Sequence, residues 1–175
     1  MRVAATVEIR ATPEQVWACI TVPENGPLWQ EGAIWTRTTT DGPIGLGTKM
    51  DHLGRWLRMR VPTTAVVTVY EPPYRYGYDI TTKLSPKPSL MRYEVEPLAE
   101  GSRLTLSNEA QMPGWTGPLE PLLQRSVQRM FERDVERLKA LISSGSVLDP
   151  AGAAVRDPAS KAVPGGRYEV SVPAA

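Results

Sequence analysis

Short segments of alternating apolar and polar residues recur about every 10 to 15 residues through the middle of the chain. Together with a first alternating segment at residues 3–10, they predict seven strands, the others at residues 33–40, 48–55, 59–70, 74–82, 90–96 and 103–111. Turn-forming residues, such as Asp41-Gly42 and Pro72-Pro73, stand between them. Strands at this spacing with turns between them predict an antiparallel meander.

Helices are predicted only at the two ends of this strand-rich region. Thr12, Pro13 and Gln15 form a capping box with proline in the first turn, which predicts a short helix, and residues 28–30 predict one further turn. Near the C-terminus a single helix of about 25 residues is expected, starting at Pro118 and ending at Gly145. Its apolar residues form one stripe: Leu119, Leu122, Leu123, Val127, Met130, Phe131, Val135, Leu138, Leu141 and Ile142. The charged residues of this segment, including Asp134, are expected on the wet face.

Length and charge limit the class of protein and its partners. A chain of 175 residues is the usual size of one domain, and a formal net charge of +1 argues against a nucleic-acid partner. Cys19 is the only cysteine, which excludes a disulfide within the chain and favours a cytoplasmic location. No apolar run is long enough for membrane insertion, and the charged N-terminus does not resemble a signal peptide.

The last 32 residues differ in composition from the rest. Residues 144–175 are rich in Pro, Gly, Ala and Ser and hold one aromatic residue, so they predict a flexible tail after a domain of residues 1–143. Only residues 167–172 alternate well enough to add an edge strand.

The order of elements and several short motifs resemble the SRPBCC superfamily (START, polyketide cyclase/dehydrase and Bet v 1-like proteins), in its bacterial cyclase/dehydrase branch. The similarity covers residues 3–143 and rests on five segments: residues 11–17 (ATPEQVW), 46–48 (LGT), 69–75 (VYEPPYR), 101–106 (GSRLTL) and 134–139 (DVERLK). The resemblance implies an α+β helix-grip fold, in which a curved antiparallel sheet of about seven strands wraps around the long C-terminal helix, with two short helices after the first strand. It also implies a largely apolar cavity between sheet and helix.

Three residues are candidates for chemistry in such a cavity. His52 is the only histidine, lies on the face of its strand predicted to point inward, and has an ordinary pKa suited to proton transfer near neutrality. Tyr78 and Tyr93 are candidates to donate a hydrogen bond to a ligand carbonyl. The alternative for all three is ordinary packing in the core or, for the histidine, a place on the surface.

Further residues are candidates for ligand contact because they are aromatic, apolar or polar at predicted inward positions or near the ends of elements. They are Trp29, Trp35, Met50, Tyr76, Met91, Asn108, Trp115, Leu119, Leu123 and Met130. Methionines adapt to irregular apolar ligands, but a methionine-rich core has the same sequence pattern. Asn108 interrupts an inward row of leucines, so it indicates either a ligand contact or a bulge.

No metal or cofactor is expected, because one histidine and scattered carboxylates do not form a ligand set, and the segment from Gly42 to Lys49 lacks the helix start of a phosphate loop. Two functions remain open. The first is a cyclase, aromatase or dehydratase that acts on a polyketide intermediate in bacterial secondary metabolism, such as antibiotic biosynthesis. The second is a carrier or sequestering protein for a hydrophobic small molecule. A monomer or a homodimer is expected in either case.

Overall fold

The computed structural model describes residues 1–56, 59–85, 87–111 and 114–145. Seven strands are present: β1 (Arg2–Ile9), β2 (Ala33–Thr38), β3 (Lys49–Trp56), β4 (Met59–Glu71), β5 (Arg75–Thr81), β6 (Ser89–Leu98) and β7 (Gly101–Glu109). Two short helices, α1 (Pro13–Ile20) and α2 (Gly26–Trp29), follow β1, and the long helix α3 (Glu120–Ser143) follows β7. Short 3₁₀ helices at Pro23–Asn25 and Gly114–Leu119 precede α2 and α3.

All seven strands form one antiparallel sheet in the order β1-β7-β6-β5-β4-β3-β2. Each strand from β2 to β6 pairs with the next one along the chain, and β1 lies at the edge beside β7. The expected curved antiparallel sheet with a long C-terminal helix is therefore confirmed, as is the helix-grip arrangement. The predicted flexible tail and the edge strand at residues 167–172 lie outside the described residues.

The first helix forms where its capping residues predicted it. The Gln15 backbone N–H donates to the Thr12 hydroxyl, and the Gln15 side-chain oxygen accepts from the Thr12 N–H, so both halves of the capping box are present. Val16, Cys19 and Ile20 turn their side chains into the core.

Helix α3 covers the free edge of β1 as well as the inner face of the sheet. The Gln128 side chain donates to the Ala4 carbonyl at 2.7 Å and accepts from the Ala4 N–H at 3.2 Å, and Gln124 donates to the Arg2 carbonyl. These bonds satisfy backbone groups that an edge strand would otherwise expose to other chains.

The buried face of α3 lies toward its C-terminal half. Phe131, Val135 and Leu138 are buried against the sheet, as the stripe predicted. The stripe is wrong at its beginning, because Leu119 and Leu122 are 52% and 66% exposed. The helix begins two residues later than expected, at Glu120, and its first turn lies beyond the core, beside the edge of β1.

Candidate functional site

A cavity of about 210 Å³ lies between α3, the inner face of the sheet and the loop that follows α2. Its wall is mostly apolar, with a few polar groups. The lining residues are Gln30, Gly32, Ala33, His52, Leu53, Gly54, Thr63, Tyr78, Ile80, Met91, Leu106, Met130, Phe131 and Asp134. The volume is below the range of about 300 to 1,000 Å³ usual for ligand pockets, so it suits a small ligand.

A second, much smaller void adjoins this cavity. It has about 20 Å³, room for one water-sized group, and His52, Tyr78 and Gln30 line both spaces. Four of the predicted ligand contacts and catalytic residues border the small void alone: Trp29, Met50, Tyr76 and Tyr93. Met91 and Met130 border the larger cavity. The structure thus brings eight of the predicted residues together around two spaces joined at His52 and Tyr78.

His52 is held on the inner face by its neighbours on β2 and β4. Its cross-strand partners are Thr36 and Thr63, and the Thr36 hydroxyl forms a hydrogen bond of 2.9 Å with Nδ1. The other ring nitrogen, Nε2, is buried and has no hydrogen-bond partner among the described residues. A ligand atom in either space is the natural partner for this nitrogen.

The protonation state of His52 differs from the expectation. Burial lowers the pKa of the imidazole to about 4, and the nearby Asp51 carboxylate only partly opposes this effect. The expectation of an ordinary pKa is therefore wrong, because the sequence does not show how fully the ring is removed from water. At neutral pH His52 is uncharged, and it stacks on the Tyr78 ring with centroids 5.7 Å apart.

The tyrosine hydroxyls form a short chain. The Gln30 amide donates to the Tyr93 hydroxyl at 2.9 Å, and the hydroxyls of Tyr78 and Tyr93 lie 3.1 Å apart. If Tyr93 donates its proton to Tyr78, the Tyr78 hydroxyl proton is free to point at a ligand. Burial raises the pKa of both phenols, so both are neutral donors at neutral pH.

Asp134 is a site residue that was expected on the solvent-exposed face of α3, and this expectation is wrong. The side chain is 3% exposed and lines the cavity from α3. Its Oδ1 accepts a hydrogen bond of 2.8 Å from the Glu31 backbone N–H, and burial raises the pKa of the carboxyl to about 6. The spacing from Phe131 and to Leu138, three and four residues, is the one observation in the sequence that places it on the buried face.

Several predicted contacts lie elsewhere. The Asn108 amide donates to the Ser89 hydroxyl at 2.7 Å and to the Leu90 carbonyl, so it joins β7 to β6. Leu119 is exposed, and Leu123 is half-buried outside the cavity lining. The side chain of Trp115 lies outside the described part of the chain.

Trp35 lies on the opposite face of the sheet from the cavity. Its neighbour Thr36 meets His52 on the inner face, and successive side chains of a strand alternate. On the outer face the Arg37 guanidinium lies over the Trp35 ring at 5.3 Å. Trp35 borders an open groove of about 620 Å³, together with Met59, Pro62 and Leu84, and this groove shares His52 and Thr63 with the cavity lining.

Metal binding and thiol chemistry find no support in the described residues. Within residues 1–56, 59–85, 87–111 and 114–145, no three His, Cys, Asp or Glu side chains lie close enough to hold a metal ion. Burial raises the pKa of the Cys19 thiol to about 12, which leaves too little thiolate for a nucleophile. No helix in the described part of the chain is long and apolar enough to cross a membrane.

Solved structures share this architecture at low sequence identity. A protein from Thermus thermophilus superposes with a TM-score of 0.70 and 18% identity, over 83% of this chain and 99% of its own. A START superfamily protein from Mycobacterium smegmatis gives 0.68 and 13%, over 82% and 97%. A conserved protein from Geobacillus kaustophilus gives 0.68 and 14%, over 83% and 97%. At these identities the likeness shows the fold.

The sequence itself identifies the family. No curated protein matches it at a significant level. Residues 1–143 match the family model described as polyketide cyclase/dehydrase and lipid transport. This range spans all seven strands and the three α-helices. The chain therefore belongs to the polyketide cyclase/dehydrase and lipid transport family.

Proposed function

We propose that the protein binds an apolar, carbonyl-bearing small molecule in the cavity and acts on it as a cyclase, aromatase or dehydratase, with a polyketide-like intermediate as substrate. The observation that carries this proposal is the buried Nε2 of His52, which has no partner among the described residues and belongs to a side chain that lines the same two spaces as Tyr78. Buried polar atoms without a partner are rare in proteins, and a ligand that completes them is one explanation for each.

The proposed roles follow from the hydrogen bonds of the unliganded site. The Tyr78 hydroxyl donates to the ligand carbonyl, while Tyr93 and Gln30 orient that hydroxyl. The neutral His52 ring donates its Nε2 proton to a ligand oxygen when the Thr36 hydroxyl donates to Nδ1. The imidazole keeps its proton and stays neutral, in keeping with its lowered pKa, and its N–H stabilises the negative charge that develops on this oxygen. The aromatic and methionine wall fixes the conformation of the apolar part of the ligand.

A second candidate function is non-catalytic binding of the same class of ligand, as a carrier or sequestering protein. The tyrosine hydroxyls bond each other, and the imidazole is neutral, so the cavity is favourable for an uncharged compound without any chemistry. Conversion of the bound ligand is the observation that separates the two functions.

The first prediction concerns ligand position. In protein labelled with methyl-¹³C methionine, 2-tetralone, a small bicyclic ketone, is expected to shift the methyl signals of Met91 and Met130, which line the cavity. Met59 is the internal control, because it is 46% exposed and is not part of the cavity lining. Shifts at Met59 alone, or at none of the three, would contradict binding in the cavity.

The second prediction concerns the polar contact. Tyr78→Phe is expected to weaken 2-tetralone binding by about 0.5 to 1.5 kcal/mol, the value of one lost hydrogen bond. Tyr74→Phe is the matched control, since Tyr74 is 46% exposed and outside the cavity lining. Equal affinities for Tyr78→Phe and the natural protein, measured by the same methyl titration, would remove Tyr78 from the site.

The third prediction separates enzyme from carrier. With linear poly-β-ketone intermediates as substrate, mass analysis of the recovered ligand is expected to show a cyclised or dehydrated product. His52→Ala is expected to lower the rate by about 100-fold, the usual contribution of one hydrogen-bond donor to a developing oxyanion, with a much smaller change in affinity. Unchanged ligand recovered from a tight complex would favour the carrier function for that compound.

A further inference from the structure

The carboxyl group of Asp134 is set apart from the other acids of α3 by its burial. Glu132 and Glu136 are exposed, whereas Asp134 lines the cavity together with His52 and Tyr78. The nearby cations, Arg133 and Arg137, pair with the Glu31 carboxylate at 2.9 and 3.9 Å. Among the described residues, no ion pair involves Asp134, so its charge is not neutralised by a direct salt bridge there.

A hydrogen bond from the loop between α2 and β2 orients the Asp134 carboxyl. Its Oδ1 accepts the Glu31 backbone N–H, and Gln30, next to Glu31, donates to Tyr93. The same loop therefore positions the acid on α3 and the tyrosine pair on the sheet. A carboxylate has about four acceptor positions, so one backbone bond leaves it able to take a proton from a ligand.

We propose that Asp134 is a catalytic base of this cavity, which removes a proton from the carbon next to the ligand carbonyl; this inference rests on the proposed function. The C–H bond breaks and an O–H bond forms on Asp134. The C–H electron pair becomes the C=C bond of an enolate, whose oxygen accepts the hydrogen bond of Tyr78. Return of the proton to carbon reverses the step, so no oxidant, reductant or co-reactant is needed.

The surroundings suit this reaction. A carboxylate removed from water is a stronger base, because fewer hydrogen bonds stabilise its charge. A pKa of about 6 leaves the group mostly ionised at neutral pH and well matched to proton abstraction there. The titratable and charged groups that face it are Glu31 on the loop, Arg133 and Arg137 on α3, and His52 and Tyr78 across the cavity. The His52 imidazole, with a pKa of about 4, is a weaker base than the Asp134 carboxylate, and the Tyr78 phenol is protonated at that pH. Asp134 is therefore the strongest base among these three cavity groups.

The test is hydrogen–deuterium exchange of 2-tetralone in D₂O. The loss of its α-proton signals in the ¹H NMR spectrum measures the exchange rate. The natural protein is expected to accelerate the exchange above the buffer rate. Asp134→Asn keeps an oxygen that accepts the Glu31 N–H but removes the base, and is expected to lower the protein-dependent rate by about 100-fold or more. Glu132→Gln, an exposed neighbour, is the matched control and is expected to exchange like the natural protein.

A pH profile and the methionine signals complete the test. The exchange rate of the natural protein is expected to rise through about pH 6 and then level, and this rise is absent in Asp134→Asn. If Asp134→Asn shifts its Met91 and Met130 signals with 2-tetralone and exchanges as fast as the natural protein, Asp134 is not the base, although binding stands. Absence of those shifts in the natural protein overturns the proposed function, and this inference with it. Should Asp134→Asn not fold, Asp134→Ser, which also removes the carboxylate, takes its place with the same expected loss.

Discussion

Replacing Gly101 with alanine is expected to lower the free energy of unfolding by about 3 to 5 kcal/mol, as the sum of backbone strain and overpacking. Gly101 has φ of +122°, which an L-residue rarely adopts. It begins β7, beside the end of β1 in the sheet. An added Cβ would collide with the Ile9 carbonyl oxygen and lie 3.0 Å from the Arg10 Cα. Both are backbone atoms, so a side-chain rotation does not relieve the collision.

Gly42→Ala separates the two causes. Gly42 also has a positive φ, +94°, but an added Cβ there meets no atom within 4 Å. Its substitution is expected to cost only the strain, about 1 kcal/mol. Urea unfolding of both variants, followed by circular dichroism, measures the two losses. Equal losses would show that the close approach of β1 and β7 contributes nothing beyond the backbone conformation.

The sheet could be predicted from sequence because one face of several strands is buried while the other is exposed or half-buried, as in β1 and β7. In β3 the alternation placed Met50 and His52 on one face, and both point inward. In β7 it placed Leu104 and Leu106 inward, and these residues are buried. A period of two fixes the face of every residue once one face is known to be buried.

The candidate site was less predictable because polarity alone does not show what covers a residue. Asp134 occupies an inward position of α3, yet a carboxyl in a helix is usually solvated, and only the loop carrying Glu31 explains its burial. Trp35 was a candidate because it lies near the start of β2, but alternation with the inward Thr36 places it on the outer face. Leu119 and Leu122 continue the apolar period of α3 into a region where no core remains to cover them.

The pKa of His52 could not be predicted from sequence either, because it depends on the burial of the ring. Sequence gives the intrinsic pKa of an imidazole, whereas burial beneath Thr36 and Tyr78 lowers it to about 4. The groups that distinguish this cavity are thus polar residues whose burial depends on partners distant in sequence. The Glu31 N–H that holds Asp134 is 103 residues away.

Asp134→Asn is expected to stabilise the protein at pH 8 relative to the natural chain, with the gain disappearing as the pH falls. Burial raises the pKa of the Asp134 carboxyl from 3.8 to about 6 in the folded state, so folding favours its protonated form. The stability that the protonated carboxyl contributes to the folded state is fully present below pH 3.8 and is lost as the pH rises through about 6. Above this range the charged carboxyl costs about 3 kcal/mol, which asparagine avoids.

The difference in the free energy of unfolding between Asp134→Asn and the natural protein reports on the Asp134 carboxyl alone. His52 titrates with the opposite sign, because its lowered pKa gives stability that is lost as the pH falls through about 4, but both proteins contain it. Urea unfolding of each at intervals from pH 4 to 8 is expected to show a stability difference that grows by about 3 kcal/mol over this range. A difference that does not change with pH would mean that the carboxyl is not stripped of water in the folded protein. A carboxyl kept in an apolar cavity at such a cost is what a base for enolisation requires, since the same desolvation that destabilises the fold strengthens the base.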